Sequence, residues 1–116
     1  MKPFVTLAVL LAAACAVPAA AQGSAAAATT CHTPKYPGSG YFTSLTVKGT
    51  TCTTGKKVAL AYYHCRLEHG KKGRCTRKVL GYSCSEHRES IPTEIDARVT
   101  CKRGAKKVTH TYQQNT

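Results

Sequence analysis

Tryptophan is absent from the sequence, methionine occurs once, and only five aspartates and glutamates stand against 17 lysines and arginines in 116 residues. So few acids exclude an acidic buffer protein. No apolar run outside the extreme N-terminus has bilayer-like composition, which excludes a polytopic membrane protein. The length leaves room for one domain and excludes a multidomain enzyme. No serine lies in a G-x-S-x-G context, and no Gly-rich phosphate cradle follows a strand. What is there is a small, very basic, cysteine-rich chain. Twelve of its alanines fall within the first 28 residues, so an apolar content of 42% overstates the core.

Met1-Lys2-Pro3, an apolar stretch from Phe4 to Ala14, then Pro18 and Ala19-Ala20-Ala21 before Gln22 have the form of a secretory signal peptide. Cleavage is expected after Ala21, and the apolar stretch falls short of the roughly 20 residues that span a bilayer. The rival is a lipoprotein anchored at Cys15. A bacterial lipobox usually has leucine three places before the cysteine, where this chain has Ala12, so the secreted product is favoured. Cleavage also removes Cys15 and leaves Cys31, Cys52, Cys65, Cys75, Cys84 and Cys101, an even set of six. In an exported chain this small, six cysteines read as three disulfides. Cys65-x3-His69 and Cys84-x2-His87 have zinc-ligand spacing, but oxidation on export favours pairing over metal, and no cofactor is expected.

Residues 22–30 are Gly, Ser, Ala, Thr and Gln without apolar periodicity and read as a flexible tether to a domain over 31–116. From Tyr41 the chain alternates, with Tyr41, Leu45 and Val47 on one side of a half-buried strand. Thr50 or Thr51 caps a helix over about Cys52–Glu68, closed by Gly70. Cys52, Gly55, Val58, Ala59, Tyr62 and Cys65 form its inner stripe, with Gly55 allowing close approach to the sheet. A second strand is expected near Lys78–Ser85. A third has Ile95, Ala97, Val99 and Cys101 inside, and a hairpin turn at Arg103-Gly104 or Gly104-Ala105 sets Val108, His110 and Tyr112 opposite. The expected fold is α+β: one helix packed on one face of a four-stranded, mostly antiparallel sheet in the order β-α-β-β-β.

That order puts Cys52 and Cys84 at the end where the helix starts, with Cys31, Cys65, Cys75 and Cys101 at the other. The expected bridges are therefore Cys52–Cys84, Cys75–Cys101 and Cys31–Cys65, with Cys84–Cys101 as the cross-strand alternative. Without Lys2 the chain keeps 16 basic and 5 acidic residues, a formal charge of +11 with His neutral. Arg66, Lys71, Lys72, Arg74, Arg77 and Lys78 surround the loop after the helix, and Lys102, Arg103, Lys106 and Lys107 the final turn. The expected order gathers these ten at one pole, opposite Glu86, Glu89, Glu94 and Asp96. Such a pole attracts anionic polymers or surfaces in a salt-dependent way. The same charges would also serve solubility alone.

Catalytic readings are thinner. His64 and His110 are candidates for an acid–base pair of a secreted ribonuclease. His110, however, falls on an inner strand face, and His64 stands near a helix end where a cation is favoured anyway. Ser85–Thr93, between two strands and stiffened by Pro92, reads as an exposed loop with Arg88 near its centre, a shape suited to a protease inhibitor. No nucleic-acid-binding motif is present, and the aromatics fall mostly at core positions, so sequence-specific nucleic-acid recognition is not expected.

The string T-T-C-T-T-G-K-K-V-A at the helix start, G-Y-S-C on the next strand and V-T-C-K-R-G-A-K-K-V across the last turn resemble a pattern in small exported bacterial proteins. Those proteins have a signal peptide, a single α/β domain and no assigned function. The resemblance covers about Val47–Val108, implies the same fold and a Cys52–Cys84 bridge, and carries no activity; Cys31 and Cys65 look like additions to it. The sequence thus points to a secreted, monomeric, disulfide-stabilised basic module that binds anionic polymers or a cell-surface component without catalysis.

Overall fold

The computed structural model describes residues 27–116. The expected signal peptide, Cys15 and the tether up to residue 26 lie outside the described residues. The elements run β1 (Thr29–Thr30), β2 (Gly40–Lys48), α1 (Cys52–Leu67), β3 (Ser83–Ile91), β4 (Glu94–Arg103) and β5 (Lys106–Asn115). They form an α+β fold: a five-stranded sheet in the order β1-β2-β5-β4-β3, every neighbouring pair antiparallel, with α1 across one face. The strand count exceeds expectation because Thr29 and Thr30, assigned to the tether, pair with Val47 and Thr46 at the edge of β2.

Thr51 caps α1, its hydroxyl accepting from the Thr54 amide at 3.2 Å. The helix buries Val58, Ala59, Tyr62 and Cys65 against Leu45 and Val47 of β2 and Val108 of β5. At its first turn a Cβ on Gly55 would stand 2.5 Å from Val47 Cγ1, so the close approach read from the sequence is present. On β4 and β5, Ile95, Ala97, Val99, Cys101, Val108, His110 and Tyr112 all face inward as their alternation requires. Arg103 pairs with Lys106, which places the hairpin turn at Gly104-Ala105. On β2 the expected face holds for Leu45 and Val47 but not for Tyr41. A register shift between Phe42 and Ser44 bulges the strand, burying Phe42 and leaving Tyr41 67% exposed.

The largest departure from expectation lies at residues 79–82. Leu80 (φ 49°) and Gly81 (φ 79°) both have left-handed backbone, and the Val79 and Tyr82 amides each donate to the other's carbonyl, at 3.0 and 2.8 Å. This is a tight reversal of the kind that two successive positive φ values produce. The chain after α1 therefore returns toward the helix start, turns, and only then enters β3. The expected strand over Lys78–Ser85 ignores that reversal, so the direction assigned to every later element is inverted.

The disulfides follow. Cys84 and Cys101 are register partners on β3 and β4, with Cα atoms 4.0 Å apart, and form a bridge. Cys65–Cys75 closes the loop after the helix, and Cys31–Cys52 joins the end of β1 to the helix start. All six expected cysteines are bonded, but none of the expected pairs Cys52–Cys84, Cys75–Cys101 or Cys31–Cys65 forms. Bridges closing loops of this size each restrict the unfolded chain by about 3 kcal/mol. Likewise Ser85–Thr93 is not an exposed loop. It is most of β3, which turns back through Pro92-Thr93 into β4.

Gly55→Ala separates two opposing effects. Alanine favours an isolated helix by about 1 kcal/mol, but its methyl would overlap Val47, and forced overpacking costs typically 1–3 kcal/mol. The expected outcome is a net loss of about 1 kcal/mol, measured by chemical denaturation; a stabilised variant would show that helix and sheet are not in contact there.

Candidate anion-binding surface

Two groups of charged side chains are present, one enclosed between helix and sheet and one open to solvent. In the enclosed group, Arg66 is 1% exposed. Its Nη2 donates to Gln114 Oε1 at 2.7 Å and Tyr36 Oη at 3.1 Å, and its guanidinium lies 4.4 Å from the Tyr112 ring centre. The Glu86 side chain, 3% exposed, pairs with Arg88 at 2.7 Å and Arg74 at 3.3 Å and accepts from the Tyr62 and Tyr112 hydroxyls. Arg88 also donates to the carbonyls of Lys72 at 2.8 Å and Gly73 at 2.9 Å. Burial first, and the Glu86 carboxylate second, push the Tyr62 and Tyr112 phenols well above the ordinary tyrosine range, so both remain donors. A buried charge is tolerable only when paired and hydrogen-bonded, and these charges are.

This enclosure corrects three expectations. Arg66 is unavailable to an external anion because its guanidinium already bonds Gln114, Tyr36 and Gly73. Arg88 does not project toward a protease pocket, since its side chain is 8% exposed and held by Glu86. His110 cannot reach a substrate: it is enclosed by Phe42, Tyr62 and Tyr112, and neither ring nitrogen has a partner. Burial, reinforced by the Arg66 charge, lowers its pKa to about 3, so it stays neutral. His64 is exposed on the helix, and with His110 enclosed the two do not share a site.

The open group is set by strand register. Lys48 of β2 is opposite Lys107 of β5, which is opposite Lys102 of β4. Three lysines thus stand side by side on the sheet face away from the helix, with Cβ atoms about 5 Å apart. Arg103 and Lys106 flank the adjacent turn. Arg103 Nη1 donates to the Leu80 carbonyl at 3.4 Å, bringing the reversal that Lys78 enters to the same end. Gly49 (φ 66°) comes so close to this turn that a Cβ there would stand 3.0 Å from the Ala105 carbonyl oxygen, so the start of α1 is here too. That helix start carries no acidic residue in its first turn.

Lys71, Lys72 and Arg74 are elsewhere. The Lys71 carbonyl accepts from Gln114 Nε2 at 2.8 Å, and Gln114 is seven positions along β5 from Lys107, about 23 Å. Arg74 is paired with Glu86, and Arg77 with Glu68, whose carboxyl it holds below the ordinary range. The ten expected cations therefore do not share a pole. Lys78, Lys102, Arg103, Lys106 and Lys107 occupy one end, with Arg77 next to Lys78; Lys71 and Lys72 lie toward the opposite end, Arg74 is held by Glu86 between them, and Arg66 is internal. Among the described residues, none of the lysine-row cations takes part in a salt bridge. None of the three register rows next to the Gly104-Ala105 turn contains an acid. Lys48 is the member that sequence reasoning missed, because only the pairing of β2 with β5 adds it to the row.

The rest of the open face is rich in hydroxyls. Thr46, Thr109, Thr100 and Ser85 form the row two residues from the lysines, and Thr43 and Thr111 share a 2.6 Å hydrogen bond beyond it. Farther on, a shallow cavity of about 430 Å³ is lined by His87, Glu89, Asp96, Arg98, Thr111 and Thr43, among others. The zinc-like spacings offer no thiolate, as Cys65 and Cys84 are oxidised, and no cluster suited to a metal occurs among the described residues. Nor is any helix among those residues long and apolar enough to cross a membrane. No protein-family model, curated protein or solved structure matches the chain.

His110 makes the fold sensitive to acid. An unfolded chain takes up the proton near pH 6.5, the folded one only near 3. The histidine's contribution is therefore complete above 6.5 and is lost as the pH falls through that window, on the order of 5 kcal/mol. Denaturation at several pH values should show this fall in the native protein and a shallower one in His110→Phe; parallel profiles would place the acid sensitivity elsewhere.

Proposed function

We propose that this protein is an exported, disulfide-braced module that binds an anionic polymer or surface through the end of the sheet bearing Lys48, Lys102, Arg103, Lys106 and Lys107. The observation that carries this reading is the lysine row. Like charges directly opposite on neighbouring strands cost stability, about 0.2–1 kcal/mol for each pair. Here two such contacts stand in sequence, with no carboxylate nearby to offset them. An anionic ligand relieves that repulsion and releases its own counterions, which gives affinity at low salt and sensitivity to added salt. Export is supported by the N-terminal pattern and by three disulfides, which persist in oxidising compartments. The protease-inhibitor alternative loses its support, because the segment meant to enter a pocket is a paired strand with its arginine turned inward.

Replacing Lys48, Lys102 and Lys107 together with glutamine separates binding from solubility. Retention on a heparin resin should shift to lower salt, and the slope of log affinity against log salt should drop by roughly one for each lysine that contacts the polymer. The same variant should unfold at a higher temperature, because the repulsion is gone. Replacing Lys71, Lys72 and Arg74 with glutamine instead should change retention much less. Equal losses from the two sets would mean that net charge alone governs binding and would overturn the assignment.

A further inference from the structure

We propose that the cavity on the open sheet face cleaves phosphodiesters that carry a neighbouring hydroxyl, with His87 and Glu89 as its proton-transfer pair and Arg98 meeting the phosphate charge. The proposal rests on the anionic-polymer reading for delivery of substrate and adds a reaction to it. His87 and Glu89 are two residues apart on β3 and point to the same face. Arg98 is the register partner of His87, and Asp96 the partner of Glu89. The four side chains therefore form one patch, with directly opposed Cβ atoms about 5 Å apart and diagonal ones about 7–8 Å. All four are exposed and line the cavity of about 430 Å³, whose far side is the hydrogen-bonded Thr43 and Thr111.

The patch lies in line with the lysine row. Arg98 is four positions along β4 from Lys102, about 13 Å, and the residues between on this face are threonines and serine rather than acids. A polyanion held at the lysines can thus extend across hydroxyl-bearing surface to Arg98. Tyr41, 67% exposed and in the same register row as Asp96, offers a plate on which a ring of the polymer can stack.

The residues balance one transesterification. Glu89, as carboxylate, accepts the proton of the neighbouring hydroxyl, and that oxygen attacks phosphorus. The bond from phosphorus to the leaving oxygen breaks, and His87, as imidazolium, donates the proton that the leaving oxygen needs. The products are a cyclic phosphodiester and a free hydroxyl, with Glu89 protonated and His87 neutral; proton exchange with water restores both. Arg98 offers its donors to the non-bridging oxygens, where charge builds in the transition state.

The test uses the mature protein with an RNA oligonucleotide and a DNA oligonucleotide of the same sequence, which lacks the attacking hydroxyl. Both should bind at low salt, but only RNA should be cleaved, leaving 2′,3′-cyclic phosphate and 5′-hydroxyl ends. His87→Ala and Glu89→Gln should each slow cleavage by at least about 10²-fold while DNA affinity stays within about two-fold, below the change expected for losing a single bound phosphate contact. RNA that is bound yet intact would overturn the catalytic proposal and leave the binding reading standing. Failure of either oligonucleotide to bind would overturn both. Cleavage that survives both substitutions, or cleavage of a sulfated glycan in place of RNA, would overturn the assigned site.

Discussion

Leu80 and Gly81 turn the chain back on itself before the last three strands are laid down, and Cys84–Cys101 fastens the strand that follows to its neighbour. Nearly every later feature depends on that reversal. It sends β3 away from the helix start, brings β4 back, and so places the Gly104-Ala105 turn beside the end of β2 and the start of α1. Lys102 and Lys107 thereby meet Lys48, while the acidic stretch of β3 and β4 is carried to the opposite half of the sheet. A left-handed leucine costs on the order of 1–2 kcal/mol. The backbone hydrogen bonds between Val79 and Tyr82, together with the disulfide just beyond, hold the chain in that conformation.

The two faces of the sheet handle charge in opposite ways. Against the helix, charged groups are few and paired: Glu86 with two arginines and two tyrosine hydroxyls, Arg66 with Gln114, Tyr36 and a carbonyl. Such a network favours one register of helix on sheet, because a one-residue slip would leave buried charges without partners. Arg88 Nε is left without a partner, and His110 is a whole polar ring sealed among aromatic rings with no hydrogen bond, a cost that appears as acid sensitivity. On the open face, by contrast, like charges are set side by side and left unpaired. Stability alone does not favour that arrangement, which is why it points to a ligand.

The sequence made much of this fold legible where local periodicity and burial agree. The alternation of Ile95, Ala97, Val99 and Cys101 against Val108, His110 and Tyr112 sets both the hairpin and its inner face. The Thr51 cap and the small Gly55 mark where α1 starts and which side meets the sheet. The misread parts share a cause. A bulge at residue 43 and a positive φ at a leucine are backbone events with no strong side-chain signature. The first moved Tyr41 out and Phe42 in; the second inverted three strands and so brought Cys101 beside Cys84, while the unexpected pairing of β1 with the end of β2 carried Cys31 to Cys52. Arg66 shows a different limit. A helical arginine in a basic run reads as surface charge until Gln114 and Tyr36, far away in sequence, are seen to enclose it. The lysine row likewise needs three strands in register, which no local pattern reports.

The claim that topology, rather than total charge, creates the anion site is tested most directly by where a ligand touches the protein. Amide chemical shifts recorded while a short heparin oligosaccharide is titrated in would locate it. The account predicts perturbations centred on residues 46–48 and 100–109, fading toward the far end of the sheet. Shifts centred on residues 71–74, or spread evenly over all exposed lysines and arginines, would contradict it.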